Sequence, residues 1–178
     1  EDNGHGPNEG SPHPDRDGLD PHIWLSPQLV MIQARTILDA LQAVDPANRS
    51  AYQTNYESFI KELGRIDTEL KDLFKDVKGL RFMVFHPSWG YFARSYGLMQ
   101  VPVEVEGKTP KPGQLIGLIK HARENHIKVV FVQPQFSAKS AELIAREIGG
   151  AVAFVDPLSE NWPANLREVA NKFKTALK

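Results

Sequence analysis

KVVFVQ at residues 128–133 decides the fold. Val129, Val130, Phe131 and Val132 form an unbroken apolar run between Lys128 and Gln133. A strand apolar on both faces belongs in a parallel sheet with helices above and below it. Reading outward, AVAFV (151–155), RFMVFH (81–86) and MQVPVEV (99–105) have the same character. Helical patterns separate them: Ser88 to Tyr96, Gly113 to about Asn125, Ala138 to Ile148 ended by Gly149-Gly150, and Pro163 to Leu177. Strands alternating with helices predict a parallel α/β layer with right-handed crossovers.

The upstream third reads differently. Ser26-Pro27 opens a helix, with Ser26 as N-cap and proline at the first helical position. Leu29, Ile32, Ile37, Leu38 and Leu41 give that helix an apolar stripe. Asp45-Pro46 breaks it, and a second helix runs to about Phe74 with Tyr52, Tyr56, Phe59, Leu63, Ile66, Leu70 and Leu73 at steps of three and four. At about 1.5 Å per residue it spans roughly 40 Å, a length suited to bracing two lobes. Residues 1–21 contain almost nothing apolar and are predicted to be a mobile loop or tail. Their His5 and His13, set among acidic residues, suit weak and transient metal binding. The expected organisation is a flexible acidic segment (1–21), a helical linker with a backbone helix (22–78) and an α/β lobe (79–178).

Composition narrows the function. The 178 residues carry a formal net charge of −1, with 41% hydrophobic and 24% charged residues, as in a soluble globular domain. Near-neutral charge without a basic cluster argues against nucleic acid as a partner. No run approaches the roughly 18 apolar residues of a membrane span. Cysteine is absent, so disulfides, thiolate ligands and cysteine nucleophiles are excluded and any metal must be held by His, Asp, Glu or water. The chain begins at Glu1 and has no signal sequence, which predicts a processed or partial chain.

Three residues fall where a site is expected. His86 ends the strand RFMVFH, Asp156 ends AVAFV, and His22 precedes the first helix. Ligands of open α/β sheets bind outside the carboxyl ends of the strands, so His86 and Asp156 project toward one crevice. Two imidazoles and a carboxylate suit a divalent cation. Each has an ordinary reading too: a lone strand-end histidine is more often a hydrogen-bonded structural residue, Asp156 before Pro157 can cap a turn, and His22 can be a plain loop residue. Glu104 and Glu106 alternate on a strand, where a solvent-facing edge is the commoner role and support of a ligand the rarer one. His121, His126, Lys108, Lys111 and Lys120 read as solvated. Gly107-Lys108-Thr109 lacks the glycine spacing of a phosphate loop, and neither His-Glu-x-x-His nor Gly-x-Ser-x-Gly occurs.

DPHIWLSP (20–27), FHPSWGYFARSYGL (85–98), VEVEGKTPKPGQL (103–115), VFVQPQFSAKSAELIAREIG (130–149) and VDPL (155–158) together resemble the metal-specific periplasmic solute-binding proteins of zinc and manganese ABC importers. The resemblance runs from Asp20 to the C-terminus. It implies one lobe of a two-lobed receptor whose lobes are joined by a long rigid helix, with metal held in the cleft between them. Carried over by motif, His22, His86 and Asp156 match the family's metal ligands. Manganese-preferring members often have glutamate at the position of His86, so the resemblance implies Zn²⁺, with Mn²⁺ as the alternative. Gln133 stands where members often have glutamate, a supporting position. Residues 1–21 resemble a short, His-poor end of the metal-scavenging loop that many zinc members carry.

The family's N-terminal lobe, with a further histidine ligand, has no counterpart here. The resemblance therefore implies a shell completed by water, by a second chain or by that lobe. The function it implies is capture of zinc in the periplasm or cell envelope and delivery to the permease of an ABC importer, not catalysis. Two other readings are a metal-dependent hydrolase with Glu104 or Glu106 as general base, and an adhesin-like interaction domain that keeps the fold without using metal.

Overall fold

The computed structural model describes residues 19–77, 79–105 and 107–177. Four strands, β1 (Arg81–Val84), β2 (Met99–Pro102), β3 (Val129–Val132) and β4 (Ala151–Phe154), form one sheet in the order β2-β1-β3-β4. Every neighbouring pair is parallel, as the apolar runs predict. Six helices accompany the sheet: α1 (Pro27–Val44), α2 (Arg49–Phe74), α3 (Gly90–Ser95), α4 (Pro112–Glu124), α5 (Lys139–Glu147) and α6 (Trp162–Ala176).

The two-residue repeat of the strands sorts their side chains to two cores. Phe82, Val84 and Phe131 face one side, against Ile66, Leu70 and Phe74 of α2, Phe92 of α3 and Leu166, Val169 and Phe173 of α6. Met83, Val130 and Val132 face the other, against Ala122 of α4 and Ala141, Ile144 and Ala145 of α5. Both faces are thus covered.

Strands are shorter than their apolar runs. β1 stops at Val84, and the amide of His86 is taken by the side chain of Gln133. β2 stops at Pro102, although the Val103 amide still donates to the Val84 carbonyl at 2.8 Å. The turn after α5 needs two glycines: Gly149 has φ +63°, and a Cβ on Gly150 would overlap the Lys128 carbonyl.

The long helix is not uniform. Its buried residues, Leu63, Ile66, Asp67, Leu70 and Phe74, lie in the C-terminal half, which belongs to the α/β core. The apolar stripe of α1 is only partly covered by the described residues. Leu38 is buried, but Ile32 is 64% and Ile37 58% exposed. Ser26 precedes α1 as expected, but its hydroxyl pairs with Ser95 at the end of α3 at 2.9 Å and makes no cap bond.

No helix among the described residues is long and apolar enough to cross a membrane. His5, His13 and Glu106 lie outside the described residues.

Candidate metal centre

The strand order places the site. After β1 the chain moves outward to β2, then crosses back to β3 on the other side of β1. The β1–β3 junction is therefore the topological switch point, where side chains beyond the strand ends leave a crevice. His86 follows β1 there, and Gln133 follows β3.

Gln133 is fully buried and grips His86 by its main chain. Its amide oxygen accepts from the His86 N–H at 3.2 Å, its amide nitrogen donates to the His86 carbonyl at 2.6 Å, and it reaches the Ser88 hydroxyl at 3.0 Å. The ring of His86 is fixed separately. Its Nδ1 lies 2.6 Å from Glu104 Oε1, and the Phe136 ring stacks on it at 5.0 Å and 18°. Glu104 is 8% exposed, so the solvent-edge expectation gives way to a buried carboxylate committed to His86.

His22 arrives from the loop before α1 and repeats the arrangement. Asp20 Oδ1 lies 2.6 Å from His22 Nδ1 and also accepts the His22 N–H at 3.0 Å. Burial pushes the Asp20 carboxyl up, but the side-chain and backbone hydrogen bonds from His22 outweigh it and hold the group below the usual carboxylate range. Gly90 leaves room for this pair, since a Cβ there would stand 3.2 Å from Asp20 Oδ2. Tyr91 donates to the Asp20 carbonyl at 3.2 Å and ties the loop to α3.

An ionised carboxylate only accepts hydrogen bonds, so each pair places the imidazole proton on Nδ1 and leaves the Nε2 lone pair free. The two Nε2 atoms face each other at 3.3 Å. Two lone pairs at that distance repel unless a cation stands between them. Two nitrogens at about 2.0–2.1 Å from one tetrahedral zinc are separated by about 3.3–3.4 Å. The imidazole pair has the spacing of two zinc ligands.

Asp156 stands apart from this pair in its contacts. Its Oδ1 accepts from the Leu158 N–H at 2.9 Å and from Gln135 Nε2 at 3.0 Å, which leaves Oδ2 for another partner. Among the described residues no three His, Asp or Glu side chains gather as a metal shell. The structure thus joins His22 to His86 and does not add Asp156 to them as a third group. Asp20 and Phe136 are contributors that sequence reading missed. Asp20 sits inside the quoted DPH, two residues from its partner, so the signal was present. The stacking of Phe136 had none.

The model of the ZnuA family, zinc-uptake complex component A periplasmic, matches residues 1–176, and the chain belongs to that family. It is 31% identical over 142 residues to the high-affinity zinc uptake system protein ZnuA of Bacillus subtilis, covering 79% of this chain and 44% of that protein. A crystal structure of ZnuA superposes with a TM-score of 0.87 at 48% identity, covering 89% of this chain and 60% of the other. The laminin-binding protein Lmb of Streptococcus agalactiae, described as bifunctional with adhesin and metal-transporting activity, superposes with a TM-score of 0.82 at 28% identity, covering 89% of this chain and 64% of the other. The chain thus spans less than two thirds of the length of each.

Proposed function

We propose that this chain forms the zinc-capturing half-site of an exported solute-binding protein that passes Zn²⁺ to the permease of an ABC importer. The observation that carries the reading is the 3.3 Å separation of His22 Nε2 and His86 Nε2, each imidazole backed by a carboxylate. Neutral imidazole is a better ligand for Zn²⁺ than for the harder Mn²⁺. The name of the Bacillus subtilis relative and the zinc-bound ZnuA deletion mutant agree with zinc as cargo.

Asp156 is the proposed third ligand, through Oδ2. The remaining position is left for water or for a residue supplied by the length that this chain does not share with its relatives. The exposed apolar residues of α1, Ile32 and Ile37, are proposed to pack against a segment equivalent to that unshared length. Residues 22–78 would then link two lobes, of which residues 79–178 form one.

Capture fits the groups better than hydrolysis does. A general base must be free to take a proton from metal-bound water. Glu104 is buried and engaged by His86 Nδ1, which makes it a ligand support. Because protons compete with metal for Nε2, affinity falls on acidification, a natural route to release.

X-ray absorption at the zinc edge of the loaded chain tests the reading. The expected spectrum has two imidazole shells at about 2.0–2.1 Å with oxygen filling the rest. A shell of oxygen alone would overturn it.

A further inference from the structure

His22 lies outside the sheet, in a loop that among the described residues shares no backbone–backbone hydrogen bond with the strands and is held by side-chain contacts and the packing of Trp24 and Leu25. Two of those contacts are reciprocal. Trp24, in the 3-10 turn Ile23–Leu25, donates from Nε1 to the Pro157 carbonyl at 2.9 Å. Trp162, the first residue of α6, donates from Nε1 to the Trp24 carbonyl, also at 2.9 Å. One indole therefore grips the loop that carries Asp156, and the other grips the loop that carries His22. Asn165, one turn along α6, adds a 2.7 Å bond from Nδ2 to the Asp156 carbonyl. The Trp24 ring also lies against the imidazole of His22, with centroids 5.3 Å apart.

We propose that Trp24 and Trp162 form a clasp that fixes the His22 loop against the Asp156 loop, and so sets how long a bound zinc ion is retained. They are positioning residues; neither indole touches the space between the two Nε2 atoms through its donor. The inference rests on the zinc-capture reading above. Its physical content is that ligands held at fixed spacing lose little freedom on binding, whereas ligands on two independently moving loops must be ordered by the metal itself. The clasp joins segments 133 residues apart in sequence that share no ladder. Removing either donor loosens the contact between the two loops, while Tyr91 still holds the Asp20 carbonyl and Asn165 still holds the Asp156 carbonyl.

Trp24→Phe and Trp162→Phe keep an aromatic ring and delete the donor. Stopped-flow chelation of the zinc-loaded chain reads release directly. Each variant is expected to release zinc about 3- to 10-fold faster than the parent, the effect of one hydrogen bond. The double variant is expected to release zinc more slowly than the product of the two single fold-changes, because the pair acts as one device. Amide exchange of the zinc-free chain separates this from general destabilisation. The Leu158 amide, bonded to Asp156, is expected to lose protection while the β1 amides keep theirs. Variants that release zinc at the parent rate, from a parent that binds it, would overturn the clasp alone. Equal loss of protection in β1 would also overturn it, by making the indoles merely structural. A parent that binds no zinc would overturn the capture reading, and the clasp with it.

Discussion

His22 Nε2 and His86 Nε2 face each other at 3.3 Å although the residues are 64 apart in the chain. Nothing in the sheet forces this, because only His86 follows a strand. The contact exists because Asp20 and Glu104 stand behind the two rings, each 2.6 Å from an Nδ1. The carboxylates set both the tautomer and the direction of the free lone pair.

Glu104→Gln should therefore weaken zinc binding without abolishing it. The amide oxygen can still accept from Nδ1, but the charge that raises imidazole basicity is gone. Loss of such a support costs about 10–100-fold in metal affinity, and Asp20→Asn should fall in the same range. Competition against a chromogenic zinc chelator measures both. Parent affinity in both variants would show that the carboxylates play no part in binding.

The core beneath the site makes a second expectation. Phe173 of α6 is fully buried, stacked on Phe82 at 4.3 Å and set edge-on to Phe131 at 4.6 Å. It joins α6 to the two central strands. Phe173→Ala should lower stability by about 3–5 kcal/mol, read as a shift in the urea midpoint. A loss below about 1 kcal/mol would mean that the cavity closes by rearrangement.

Legibility in the sequence was uneven, for physical reasons. The four strands and six helices follow from local patterns: apolar runs, Pro27 at a helix start, Gly149-Gly150 at a helix end. The switch point was not legible, because the order of the strands depends on which way each crossover turns and no local pattern records that. His86 was readable as a candidate because it ends an apolar run, and ligands of such folds bind beyond the carboxyl ends of the strands. The junction of His22 with His86 was carried by the family resemblance, because a loop before a helix has no periodicity to locate it. Glu104 looked like an edge residue since alternation with Glu106 mimics a half-solvated strand; the strand ends at Pro102, and the pattern no longer applies. The stripe on α1 was visible, but a stripe does not say what covers it. Trp24 and Trp162 act through single long-range bonds to main-chain carbonyls, which leave no pattern.

Alkaline pH offers a test of the polar hub under α1. Tyr96 donates to Asp67 Oδ1 at 3.2 Å, and Asp67 also accepts from Gln28 at 3.2 Å and from Lys71 at 2.6 Å, joining α1, α2 and the end of α3. Burial first, then the Asp67 charge and hydrogen bond, push the Tyr96 hydroxyl well above its ordinary value. The folded state thus keeps a proton that the unfolded chain loses above about pH 10, and stability from this group falls as pH rises past that point. Tyr96→Phe should cost about 1–2 kcal/mol near neutrality. The gap between parent and variant should narrow above about pH 10. A gap constant with pH in urea titrations would contradict the coupling.

The most direct test is isothermal titration of the chelator-stripped chain with Zn²⁺ at neutral pH, beside His22→Ala and His86→Ala. One zinc is expected to bind per parent chain, with tight binding lost in both variants while their urea midpoints stay near the parent's. Tight zinc binding that survives both substitutions, or no binding by the parent chain, would contradict the capture reading.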